Sequence, residues 1–216
     1  MKVFKVLDDE KLNALNNHID TLEPVDGTAT AKGHTASLKK NLQITSNHEG
    51  FPTIMDFVKI VMHDDQVRAY TFLNKILSPR VAIYREEGKY DWHVDSALMD
   101  LERADLSFTV FLNGRDAYEG GEMEIMLESG MTAKVKGNAG EAIVYASGLL
   151  HRVKPVTSGE RRVIVGWIKS NIKGPEYRER LYALNVERTR LTEKYGYEEA
   201  EKINQLYHQF MRDYSD

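Results

Sequence analysis

Apolar and polar positions alternate with two different periods along this chain, and the period changes twice. Near the N-terminus Asp8 is suited to cap a helix running from about Asp9 to Leu22 and ended before Pro24. From Asp26 to Asn47 the chain is polar and rich in Gly, Thr and Ala, which predicts loop and short strand. From Ile54 to Leu77 apolar residues recur at Phe57, Ile60, Val61, Tyr70, Leu73, Ile76 and Leu77, mostly three or four apart, predicting a helix or a helix pair. After Pro79 the period becomes two. Leu106, Phe108, Val110 and Leu112 alternate with Ser107, Thr109, Phe111 and Asn113, and Met123, Ile125 and Leu127 alternate with Glu122, Glu124 and Met126. Further short strands are predicted over Thr132–Lys136, Glu141–Ala146, His151–Pro155 and Arg161–Lys169, most of them separated by glycine-containing turns. Many short strands at this spacing indicate a sandwich, jelly roll or small barrel. Beyond Gly174, Pro175 is well placed to start a helix. Leu181, Leu184, Leu191 and Tyr195 form one stripe, and Ile203, Leu206, Tyr207, Phe210, Met211 and Tyr214 a second. The chain therefore reads as mainly β with flanking helices (α+β). One domain is expected over residues 1–172 and a C-terminal helical extension over 173–216, packed on it as a hairpin or forming a homodimer surface.

Composition narrows the chemistry. With 216 residues there is enough chain for one well-filled domain and a small appendage. Cysteine is absent, which removes disulfides, thiolate metal sites, iron–sulfur clusters and cysteine nucleophiles together. Any metal must be held by His, Asp, Glu or water. The net charge of −4 and the lack of a long basic run argue against nucleic acid as a partner. The short apolar stretch at Met1–Leu7 does not read as a secretory signal, and no run is long enough to span a membrane, so a cytoplasmic protein is expected.

Two His-x-Asp pairs occur among the seven histidines. A ferrous oxygenase site needs two neutral imidazoles and one carboxylate on one face of the metal, with the other positions open. On an extended segment residues i and i+2 point the same way, so His-x-Asp supplies two of the ligands. His63-Asp64-Asp65 falls in the helical stretch and reads as a solvated helix face. His93-Val94-Asp95 falls in the β-rich half, and His151, at the start of a predicted strand, is the candidate third ligand. Ten residues on, Arg161 and Arg162 must face opposite sides of their strand. Arg161 shares parity with Val163, Val165 and Trp167, and Arg162 with Ile164 and Ile168, so hydrophobicity does not choose between them. A buried guanidinium needs an anion, which an internal Glu or a dicarboxylic ligand would supply.

Taken together, His93-Val94-Asp95, His151 and Arg161 resemble the pattern of the prolyl-hydroxylase branch of the 2-oxoglutarate oxygenases, and more closely that of the bacterial PKHD-type hydroxylases. Tyr84, nine residues before His93, is similar to a tyrosine of that family. So are Tyr118-Glu119-Gly120-Gly121-Glu122, Trp167, the pair Asp26-Gly27 and Lys40-Asn41, and the tail around Leu206-Tyr207-His208. The resemblance spans nearly the whole chain. It implies a double-stranded β-helix (a cupin-like jelly roll) that binds Fe(II) through His93, Asp95 and His151. It also implies 2-oxoglutarate as cosubstrate, O2, and room for ascorbate as a reductant. The distal carboxylate would pair with Arg161 and accept from Tyr84, with Thr109 either a further contact or simply a strand-former. A carboxylate at Asp95, where related halogenases have a small residue, implies hydroxylation of a C–H bond in a small molecule or a peptide, a prolyl residue among them. Tyr90 and Trp92 would stack on a proline ring or serve structure alone. The loops around Asp26–Lys40 and Leu98–Ala104 would line the substrate pocket. The rival readings are a cupin-like metal and small-acid binding protein without turnover, distinguished by O2-dependent succinate release, and a nucleic-acid demethylase on the same fold.

Overall fold

The computed structural model describes residues 1–30, 34–127 and 129–215. Two antiparallel sheets carry the chain. The larger, of seven strands, runs in the order Lys2–Lys5, Glu141–Ala146, Leu106–Phe111, Arg161–Ser170, Leu73–Tyr84, Leu42–Ile44, Val25–Asp26. The smaller, of five, runs Thr132–Val135, Met123–Met126, His151–Val153, Lys89–His93, Lys39–Lys40. Strands adjacent in space are mostly distant in sequence, as the crossing connections of a jelly roll require.

The large sheet is covered on both faces. On one side Leu106, Phe108, Val110, Val81, Ile83, Ile164 and Ile168 pack against Leu12, Leu15, Ile19, Ile54, Val58 and Val61 from the helices. On the other, Ala82, Tyr84, Phe111, Ile143 and Val163 meet Met123, Ile125 and Val153 of the small sheet. The alternation over Leu106–Leu112 therefore separates a helix-facing row from a row facing the space between the sheets. Ser107 and Thr109 lie on that inner row and are buried, so here the polar half of the pattern marks an internal cavity.

The first helix spans Asp9–Ile19, with the Asp8 carboxylate accepting from Lys11 N at 2.8 Å. It stops short of Leu22, where the chain turns with Leu22 N donating to Ile19 O. The Ile54–Leu77 stretch is only partly helical. It holds two helices, Phe51–Met62 and Asp65–Thr71, and then Leu73 opens a twelve-residue strand. The break falls at His63-Asp64, where Asp64 caps the second helix by accepting from Gln66 N and Val67 N. Those residues belong to a helix junction, with His63 and Asp65 exposed. Phe72, at φ 48, closes the second helix in the left-handed conformation and buries its ring. Between Asp26 and Asn47 the chain forms a turn at Gly27–Thr30, a short helix at His34–Ser37 and two short strands; Ala31-Lys32-Gly33 lie outside the described residues.

The C-terminal helices, Pro175–Tyr195 and Glu201–Tyr214, form a hairpin. It is held by Phe72, Ile172 and Leu181 with Tyr177, Tyr207, Phe210 and Met211, and Tyr177 stacks on Tyr214 at 4.1 Å. Arg178 is buried and donates to Ile172 O, while Tyr70 donates to Glu179. The hairpin sits at the end of the long strand and against the Asp65–Thr71 helix rather than over a sheet face. Of its first stripe only Leu181 is buried, Leu184 and Leu191 being half-buried and Tyr195 exposed. No described helix is long and apolar enough to cross a membrane.

Leu15, fully buried between helix and sheet, tests this packing. Leu15→Ala is expected to lower unfolding stability by about 2–5 kcal/mol in urea titrations, against about 0.5 kcal/mol or less for Val186→Ala on the exposed helix face.

Candidate metal centre and its cavity

His93 ends its strand and His151 begins another, and the two are direct cross-strand partners. Their rings lie 4.2 Å apart between centroids. His93 Nδ1 is 2.7 Å from Asp91 O and His151 Nδ1 is 2.9 Å from Leu149 O. A carbonyl only accepts, so each Nδ1 carries the proton and each Nε2 presents a lone pair. Both Nε2 atoms face the Asp95 carboxylate, His93 at 3.9 Å from Oδ1 and His151 at 3.8 Å from Oδ2. The three ligand atoms fall within 4.8 Å of one another, and this is the one such cluster among the described residues.

The surroundings fix these groups. Tyr90 stacks on His93 at 3.5 Å and Tyr145 meets His151 edge-on at 5.2 Å. The Ser107 hydroxyl donates to Asp95 Oδ2 at 2.6 Å and lies 3.0 Å from Ser147 Oγ. Burial, and then the neighbouring His151, push His93 down to about 4, so its ring is neutral at pH 7 and able to bind a metal.

The cluster opens on a cavity of about 510 Å³ between the sheets. Arg161 lies in its wall and is 1% exposed. It is the cross-strand partner of Tyr84, and its guanidinium lies 5.1 Å from the Tyr84 ring centroid and 5.7 Å from that of Phe111. Arg161 Nε and Nη1 have no hydrogen-bond partner, nor does the buried Tyr118 hydroxyl, and no described acid pairs with Arg161. Arg162, in contrast, turns outward to Asp20, Glu160 and Asn16. The Tyr118–Glu122 segment explains how the Arg161 stem is accommodated. Gly121, at φ +65, passes so close that a Cβ there would come within 3.2 Å of Arg161 Cδ. Burial raises the Tyr84 phenol, which remains a hydrogen-bond donor at neutral pH.

These residues fit a ferrous ion and a dicarboxylate. Two neutral imidazoles and a carboxylate leave positions open on a metal. A buried cation with unsatisfied N–H groups calls for an anion, and a planar guanidinium can hold a carboxylate at two points. Thr109 is buried in the cavity wall one alternation beyond Ser107. Of the two readings open for Trp92, stacking in the pocket or structure alone, its placement favours the second. A bulge opposite Arg152 breaks the alternation, so Tyr90 and His93 both face inward while Trp92 turns out under Arg152, 4.6 Å from its guanidinium. Tyr90 lines the cavity but is engaged with His93. Sequence reasoning missed Ser107, whose signal was a hydroxyl within an otherwise apolar strand. It also missed Arg80, whereas Thr30, Lys39, Leu98 and Met99 come from the two loops expected to line the pocket, though Lys39 itself was not singled out.

Comparison with known proteins agrees with this geometry. Residues 79–169 match the model of the 2OG-Fe(II) oxygenase superfamily. The chain is 33% identical over 216 residues to a PKHD-type hydroxylase of Prochlorococcus marinus (strain MIT 9301), covering 98% of this chain and 97% of that protein. A PKHD-type hydroxylase of Maricaulis maris (strain MCS10) is 35% identical over 181 residues, 84% of this chain and 82% of that protein. Among solved structures, a Pseudomonas putida prolyl-4-hydroxylase superposes with a TM-score of 0.56 at 20% identity, covering 78% of this chain and 91% of that one. An oxygenase of the 2OG-Fe(II) family from Burkholderia pseudomallei gives 0.58 at 16% identity, over 75% and 80%. The chain belongs to the PKHD-type hydroxylases of the 2OG-Fe(II) oxygenase superfamily, enzymes that depend on Fe(II), 2-oxoglutarate and O2.

Proposed function

We propose that His93, Asp95 and His151 hold the ferrous ion and that Arg161, with Tyr84, anchors the distal carboxylate of 2-oxoglutarate, for hydroxylation of a C–H bond in a small molecule or peptide, a prolyl residue among them. One observation carries this reading. Three metal-competent atoms within 4.8 Å share a cavity with a buried guanidinium whose Nε and Nη1 have no partner. When bound, the ferrous centre with 2-oxoglutarate and O2 supplies the oxidant that places one oxygen atom in the substrate and the other in succinate, with release of CO2.

The chain's own residues supply orientation and charge. The Asp91 and Leu149 carbonyls lock the tautomer of the two imidazoles, so metal binding costs no rearrangement of protons. Ser107 holds Asp95 Oδ2 and so limits how the carboxylate rotates. Arg161 offers its fork to a carboxylate, and Tyr84 stands beside it as a donor. The walls formed by Phe111, Met123, Val153 and Val163 exclude water around that carboxylate, which strengthens the ion pair. Thr109 is positioned as a further contact for the same ligand. The residues 1–172 would carry this chemistry, with the 173–216 hairpin as an extension.

Anaerobic addition of 2-oxoglutarate to the Fe(II)-loaded protein is expected to give a visible charge-transfer band, followed under air by succinate release. His93→Ala, Asp95→Ala and His151→Ala should each lose the band. A band-free wild-type protein that binds iron and 2-oxoglutarate separately would rule the chelate out, and a band without succinate under air would favour a binding protein without turnover.

Arg161→Ala is expected to weaken 2-oxoglutarate binding by about ten- to a hundredfold, corresponding to about 1.5–3 kcal/mol for a charge-assisted contact. Arg162→Ala should leave that affinity unchanged, since its partners lie on the outer face; titration of the same band compares the two, and equal losses would reject the assignment.

A further inference from the structure

Arg161 is not the only cation in this cavity. Arg80 and Lys39 also line it, and nothing in the binding of iron or 2-oxoglutarate described above uses them. Arg80 shares the long strand with Tyr84 but stands opposite Val165, four residues from the Tyr84–Arg161 pair, or about 13 Å along the strand. Its guanidinium lies 5.0 Å from the centre of the Trp167 ring, and Nε donates to Ser78 O at 3.3 Å. Lys39 is 8% exposed, donates to Thr30 Oγ1 at 3.0 Å and lies 5.2 Å from the centre of the Tyr90 ring.

Neither cation has an ion-pair partner among the described residues, and the nearby acids are engaged elsewhere. Asp95 belongs to the metal cluster, Asp100 accepts from Ser78 and Asp26 accepts from Thr28. The two cations repel one another. Burial, then this repulsion, lowers Lys39 to about 8, which leaves it mostly charged at pH 7. Loading the centre does not relieve them. The charges of Fe(II) and Arg161 are balanced by Asp95 and the two carboxylates of 2-oxoglutarate, which leaves Arg80 and Lys39 only the longer-range fields of Asp100 and Asp26, neither of which forms an ion pair with them. Unpaired cations in a shielded cavity are costly unless an anion arrives. The hydrogen-bond inventory points the same way. Arg80 and Lys39 are donors only, and the buried Trp167 Nε1–H beside Arg80 has no acceptor. A neutral peptide carbonyl would accept from these groups but would leave the charge unanswered.

We propose that the substrate of this enzyme carries an anionic oxygen group, a carboxylate or a phosphate, and that Arg80 and Lys39 receive it on the side of the cavity away from Arg161. The proposal rests on the reading of the metal centre and of Arg161 given above. Leu98 and Met99, at the rim, lie against the carbon skeleton of such a molecule.

The test uses the whole protein, loaded anaerobically with Fe(II) and 2-oxoglutarate, titrated calorimetrically with inorganic phosphate and separately with acetate. At least one anion is expected to bind. Arg80→Met and Lys39→Met should each weaken it by about tenfold or more, with the 2-oxoglutarate band titrating as in wild type. Tighter phosphate than acetate identifies a phosphorylated substrate, and the reverse a carboxylic acid. If neither anion binds, or both variants bind it as tightly as wild type, the proposal is overturned. It is also overturned if a variant with wild-type circular dichroism loses the 2-oxoglutarate band, because these cations would then serve the cosubstrate. A variant that misfolds leaves the decision to the other. Absence of the band in wild type is a different failure, that of the metal-centre reading itself.

Discussion

The register in which the Lys89–His93 strand pairs with His151–Val153 is the constraint on which the rest depends. His93 and His151 face one another directly across this ladder. A slip of one residue would send one imidazole to the outer face. The register is held by features that owe nothing to a metal: backbone pairing, the bulge at Arg152, and the acceptance of each Nδ1–H by a carbonyl two residues earlier in its own chain. The imidazoles proposed to hold iron are thus oriented before any ion arrives, and Asp95 completes the set from just beyond the strand end, steadied by Ser107 from the opposite sheet.

The same two-sheet closure divides the cavity by charge. At one end Arg161 is enclosed by Tyr84, Phe111 and Tyr118, with the Gly120-Gly121 backbone packed close. Toward the other, Arg80 and Lys39 share the wall with Trp167 and Tyr90. Both ends are rich in donors, and the acid between them is the one in the metal cluster. A cavity built this way favours oxygen anions at either end.

How legible this was in the sequence depended on how each strand is buried. Leu106–Phe111 and Met123–Met126 alternate plainly and end at Gly-containing turns, so their place as strands could be read. The Leu73–Tyr84 strand could not be. Its central position buries both faces, Val81 to Tyr84 without interruption, so period two vanishes and Leu73, Ile76 and Leu77 mimic a helical repeat. Double burial also explains why parity could not rank Arg161 above Arg162, since both sides of their strand are apolar. The choice between a pocket and a structural role for Trp92 stayed open because a bulge reverses alternation, which one sequence does not display. Arg80 gave no signal, and Lys39 none beyond its place in a loop expected to line the pocket: each looks like an ordinary surface cation until topology folds it inward. The His93, Asp95 and His151 cluster could be named because His-x-Asp is local and the family resemblance supplied His151, which the fold then brings onto the neighbouring strand.

The rim has a further property. Ser78, at φ 43 in the bulge of the long strand, donates through its amide and hydroxyl to Asp100 of the Leu98–Arg103 hairpin, whose tip residue Leu101 is almost wholly exposed. Further ties hold its base: Glu102 pairs with Lys75 and Lys169, and Met99 packs against Leu77, Ala104 and Trp167. A replacement at Leu101 would thus meet solvent alone, whereas one at Met99 would reshape the cavity mouth.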